Sequence, residues 1–98
     1  MGTSLEKIEK ELNIPKEQVI REGIQRFLEF ELRNSRAEIS KICIKYGVTS
    51  FGELWDSLEK GKISEKECFD DIPRLEFLEI NAEKIQKLLD EYLTHDLP

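Results

Sequence analysis

Cys43, Cys68, His95 and the adjacent pair Asp70-Asp71 are the side chains of this sequence with the most chemistry to offer. Their spacing builds no site. The cysteines are not in C-x-x-C register and neither has a histidine nearby, which argues against zinc and against a thioredoxin-like redox pair. A disulfide between them is left open, because the helices inferred below put both near the ends of long elements. Asp70-Asp71 has no third ligand at a spacing useful to a metal. His95, the single histidine, stands three residues from the last residue, where chains fray. Carboxylate catalysis needs a sheltered pair with displaced pKa values, whereas Asp and Glu here are interleaved with Lys and Arg. The phosphate-cradling, dinucleotide, zinc-protease and nucleophile-elbow patterns are all missing from the sequence. The expectation is a protein without catalytic centre, metal or cofactor.

What remains is the chemistry of contact. Trp55 has the type of a hot-spot or ligand-stacking residue, but it shares an apolar stripe with Phe51, Leu54 and Leu58, which favours a place in the core. Phe77 and Ile80, beside Glu76 and Glu79, project away from the apolar seam of their helix. Leaving both bare would forfeit roughly 3–6 kcal/mol of burial, comparable with the whole stability of a small domain. Either the short helix around Trp55 covers them, or a partner does.

Two seams dictate the elements that hold these residues. Leu28, Leu32, Ser35, Ile39, Ile42 and Tyr46 are spaced 4-3-4-3-4, and Leu75, Leu78, Ala82, Ile85, Leu89 and Tyr92 are spaced 3-4-3-4-3. That is the rhythm of helices packed along their lengths, as in a coiled coil. The fold class expected is all-α: an antiparallel helical hairpin of two long helices, a short connecting helix and a short N-terminal helix. All 98 residues form one domain, with residues 1–30 a helix pair, to which the resemblance given below assigns dimerisation, and residues 31–93 the hairpin.

Local signals place the ends. Thr3-Ser4-Leu5-Glu6 offers a capping box for the first helix, and Asn13-Ile14-Pro15 stops it. A long helix spans about 16–46, ended by Gly47 in the left-handed conformation. Gly23 lies inside it and points to close approach by another helix among Ile20, Ile24 and Phe27. Ser50-Phe51-Gly52-Glu53 caps a helix that stops at Gly61. A turn at 64–70 then leads to a helix over 71–93, with Pro73 confined to its first turn.

Net charge is −6, divided as +1 over residues 1–46 and −7 over residues 47–98. A chain this acidic repels phosphate backbones, so general nucleic-acid affinity is not expected. The acidic half suits a basic protein partner. Lys and Glu dominate the charges, a mix common in thermophile proteins and equally one that solvates helix faces. With no signal peptide and no apolar run of about 18 residues, a cytoplasmic protein that does not span a membrane is expected.

Leu5 to Leu32 reads LEKIEKELNIPKEQVIREGIQRFLEFEL. Short helix, Asn-Ile-Pro turn and the Ile20-Arg21-Glu22-Gly23 segment resemble the helix pair of ribbon-helix-helix regulators. That resemblance implies a homodimer formed through residues 5–28, with Ile20, Gly23, Ile24 and Phe27 at the contact. Only Met1 to Ser4 precede the first helix, so the family's DNA-reading ribbon has no counterpart and DNA binding is not carried over. The remainder, with Lys45-Tyr46-Gly47-Val48-Thr49-Ser50, Gly61-Lys62-Ile63 and Arg74-Leu75-Glu76-Phe77-Leu78-Glu79, resembles small archaeal proteins of antitoxin type. The function implied is non-catalytic: binding and restraint of a toxin partner through Trp55, Glu76, Phe77, Glu79 and Ile80. The alternatives are a helical dimerisation or scaffold protein, and a transcriptional regulator that uses the N-terminal helix pair.

Overall fold

The structure, a computed structural model, describes residues 2–94; His95 lies outside them. Five helices follow one another: α1 (Gly2–Leu12), α2 (Lys16–Tyr46), α3 (Phe51–Glu59), α4 (Glu65–Cys68) and α5 (Asp71–Thr94). The described residues contain no strand, so the fold is all-α.

The α1–α2 corner shows how the local chemistry works. Asn13 takes a left-handed φ of 55°, a conformation that Asn tolerates better than other side chains. Pro15 then sits at the N-cap of α2, where it offers no side-chain acceptor. The acceptor comes from α1 instead: the Lys16 backbone N–H donates to Glu9 Oε2 at 3.1 Å. The backbone of α1 is already helical from Gly2, so the helix opens ahead of the capping box expected at Thr3.

At 31 residues, α2 is roughly 46 Å long and sets the long dimension of a molecule measuring 62 × 25 × 17 Å. It ends in a two-bond reversal. Gly47, at φ 66°, donates to Ile44 O, and Val48 donates to Cys43 O, which satisfies carbonyls that the helix leaves unpaired.

From Leu28 onward α2 packs antiparallel against α5. Ile42 and Cys43 share one core cluster with Leu54, Leu75 and Leu78. Leu28 and Leu32 share another with Ile85 and Leu89. Both expected seams are therefore the buried faces, with Ser35 buried along the same stripe. At its rim the hairpin carries the pair Arg74–Glu38, 3.1 Å, and Arg36 Nη2 donates to Gln86 Oε1 at 2.7 Å.

Nine residues of α3 cannot hold a helix alone. Leu54, fully buried, seats α3 on the hairpin. Ser50 Oγ accepts from Glu53 N at 3.2 Å, and Glu53 Oε1 accepts from Thr49 N at 2.9 Å. The expected capping box thus forms, with its return bond one residue upstream. The helix closes at Glu59, and the stop expected at Gly61 is that residue's left-handed φ of 74°.

One difference from expectation follows from capping. The turn expected over 64–70 contains a single helical turn, α4, because Ser64 Oγ accepts from Glu67 N at 3.3 Å. Pro73 is the third residue of α5, where the missing N–H removes no helical bond. Both cysteines are buried free thiols, so the disulfide is not formed. Cys68 Sγ donates to Ser64 O at 3.3 Å. Burial first, then the charges of Glu79 and Glu53, push the Cys43 thiol up and keep it protonated near neutral pH.

Candidate interaction surface

The side chains singled out from the sequence fall on three surfaces. The first is the outer face of α5. Phe77 is 63% exposed, Ile80 48% and Leu88 47%. Helix α3 docks on α5 through Leu54 yet leaves Phe77 and Ile80 uncovered, so the intramolecular cover that was one of the two expectations is not used. Glu76 is exposed beside them. Glu79 instead turns toward α3, where its Oε2 accepts from Phe51 N at 2.8 Å. That bond serves an orphan donor of the first turn of α3 and places a negative charge at the positive end of the helix. Glu79 therefore holds α3 on α5.

The second surface is α3 itself. Trp55 is 46% exposed and stacks on Phe51, with ring centroids 6.2 Å apart and planes at 28°. The core position expected for Trp55 belongs to Leu54, one residue earlier on the same stripe.

The third surface is the arm formed by α1 and the first three turns of α2. Ile20 is 44% exposed, Ile24 37% and Phe27 60%, and on α1 Ile8 and Leu12 are also exposed. Helix α1 packs against α2 without covering this stripe. Beyond its chain neighbours and the local helix backbone, nothing lies within 4 Å of where a Cβ on Gly23 would stand. The close approach expected at Gly23 is thus absent within the chain.

The most structured polar cluster was invisible in the spacing. Tyr46, identified as a seam residue, donates its hydroxyl proton to Asp71 Oδ2, and the same oxygen lies 2.9 Å from Lys45 Nζ. The hydroxyl also reaches Glu67 O at 3.1 Å. The end of α2 is thereby tied to α4 and to the start of α5. Hydrogen bonds from Tyr46 and then Lys45 hold the Asp71 carboxyl below its ordinary value. Desolvation first, and the bond to Asp71 second, push the Tyr46 phenol up. Asp70, the other member of the acidic pair, is exposed. Tyr46 and Asp71 lie 25 residues apart, beyond any local pattern.

Among the described residues no group of three or more His, Cys, Asp or Glu is placed to hold a metal ion. Among the described residues no helix is long and apolar enough to cross a membrane. The surfaces that remain can exclude water against another macromolecule and can pair charge across a rim.

Comparison with known proteins locates the chain without adding a chemistry. Over 65 residues it is 43% identical to a protein of Methanocaldococcus jannaschii called "Uncharacterized protein MJ0235", and the match covers 66% of this chain and 78% of that relative. No solved structure matches it. The family model described as "Uncharacterized protein MJ0235 family" spans residues 1–97, and the chain, with a relative in an archaeon, belongs to that family.

Proposed function

We propose that this is a non-catalytic cytoplasmic protein that binds a protein partner through the outer face of α5, and that the partner is a toxin which the bound protein restrains. The observation that supports it is the exposure of Phe77, 63%, Ile80, 48%, and Leu88, 47%. They stand on a helix whose opposite face is already packed. A helix apolar on two faces belongs inside an assembly. Residues 47–98, which include this face, carry −7, so a basic partner gains in encounter rate and loses little on desolvating the rim. Trp55 and Glu76 extend the contact. Glu79 contributes by seating α3.

Co-expression tests the proposal. A toxin encoded beside this protein arrests growth alone, and the wild-type chain relieves the arrest and co-purifies with it. Phe77→Glu loses both while far-ultraviolet circular dichroism is unchanged, because the side chain is mostly in solvent. Relief that survives Phe77→Glu and Ile80→Glu together rejects α5 as the binding face, and failure of every neighbouring product to co-purify rejects the function. A helical scaffold is the second reading, favoured by the exposed stripe of the arm.

A further inference from the structure

The exposed face of the arm in α2 has a symmetry that the α5 face lacks. Lys16, Ile20, Gly23, Ile24, Phe27 and Glu31 are spaced 4-3-1-3-4, a pattern that reads the same in both directions. At about 100° per residue all six fall within roughly 50° of one line along the helix. From these observations we infer that two copies of this chain dock antiparallel through this stripe, about a two-fold axis at Gly23–Ile24. In that register Ile20 of each copy meets Phe27 of the other and Gly23 meets Ile24. Lys16 meets Glu31, so the ends of the stripe carry opposite charge where they face.

Three observations select a second copy as the occupant. An isologous interface must be complementary to its own reverse, and the stripe is so in both spacing and charge. The apolar members are open, at 44% for Ile20, 37% for Ile24 and 60% for Phe27. Gly23 leaves room for the opposing Ile24, since beyond its chain neighbours and the local helix backbone nothing stands within 4 Å of its Cβ position. Charge also favours the arm over the rest of the molecule as the meeting place. Residues 1–27 are neutral overall while residues 28–98 carry −6, so copies that meet at the arms avoid the repulsion of copies that meet at their bodies. A parallel pairing would set Lys16 against Lys16 and forfeit the match.

The test is sedimentation equilibrium of the full chain from micromolar to millimolar concentration. A monomer–dimer equilibrium is expected. Lys16→Glu and Glu31→Lys each weaken it by about tenfold, because the pair occurs twice in the dimer, and the double variant restores it. Phe27→Glu abolishes it with helicity retained. Gly23→Gln raises the melting temperature of the monomer by improving helix propensity yet weakens the dimer by filling the crossing point. Phe77→Glu leaves the dimer intact, which separates this contact from the α5 face. A monomer at every concentration, a dimer indifferent to Phe27→Glu, or a double charge swap that fails to restore association overturns the inference.

Discussion

The two ends of α2 carry similar apolar spacing and meet opposite fates. From Leu28 onward the stripe is buried: Leu32 and Ile42 are each 7% exposed, facing α5 residues such as Leu75 at 0%. Between Lys16 and Phe27, Ile20, Ile24 and Phe27 stay open, Phe27 at 60%. The difference is one of direction as well as length: Phe27 points about 100° away from its neighbour Leu28 around the helix, off the seam that α5 covers. Helix α5 has 24 residues against 31 in α2, so α2 outruns its cover by about 10 Å, and α1 shields only part of the overhang. Burial is a property of the facing surface as much as of the stripe. The charge follows the same division, neutral over residues 1–27 and −6 over the rest.

The sharpest way to break the comparison is to cut large apolar side chains from the two regions. Leu75→Ala, at a fully buried site, is expected to cost about 2–5 kcal/mol in urea unfolding, enough to unfold a small domain. Phe27→Ala should cost a dilute monomer little, within about 0.5 kcal/mol, as for surface changes generally. Equal losses would mean that the arm is packed as firmly as the hairpin.

Asp71→Asn comes next, at about 1 kcal/mol, because the buttress joining α2 to α4 and α5 loses its charge. The pH dependence has a definite sign. The Asp71 carboxyl is depressed in the fold, so its stabilisation is present above the ordinary value of about 4 and is lost as pH falls through the lower folded value. The Tyr46 phenol is raised, so its contribution is present below about pH 10 and is lost as pH rises through the higher folded value. Chemical denaturation at a series of pH values should show both slopes, with the acid one flattened in Asp71→Asn.

Ser50→Ala removes the acceptor for Glu53 N and should cost about 1 kcal/mol, felt first as loosening of α3 in amide exchange. The smallest effect has the reverse sign. Gly23→Ala, in open space, should stabilise the dilute monomer by up to about 1 kcal/mol, read as a shift of the thermal midpoint.

The seams, the end of α2 at Gly47 and the Ser50 cap were legible in the sequence. Each depends on neighbours within one or two turns, where residue type dictates backbone geometry. Much of the candidate surface was legible too: Phe77 and Ile80 point away from a seam that could be read directly. Trp55 was not. Its stripe is shared with Leu54, and only the angle at which α3 meets the hairpin puts Leu54 inside and leaves the indole half out. Glu79 was equally opaque, since its role depends on the α3 N-terminus arriving from 28 residues away in sequence.

Residue order alone determined that this chain is helical, where its long helices break, and which stripe of each is apolar, because those properties arise from i to i+4 relations and from the side chains that cap a turn. Only the tertiary structure decided how far α5 reaches along α2, which of two adjacent aromatic and aliphatic side chains α3 buries, and that Tyr46, Lys45 and Asp71 meet. Those outcomes are set by the relative lengths and crossing of rigid helices, quantities that no local window of sequence contains.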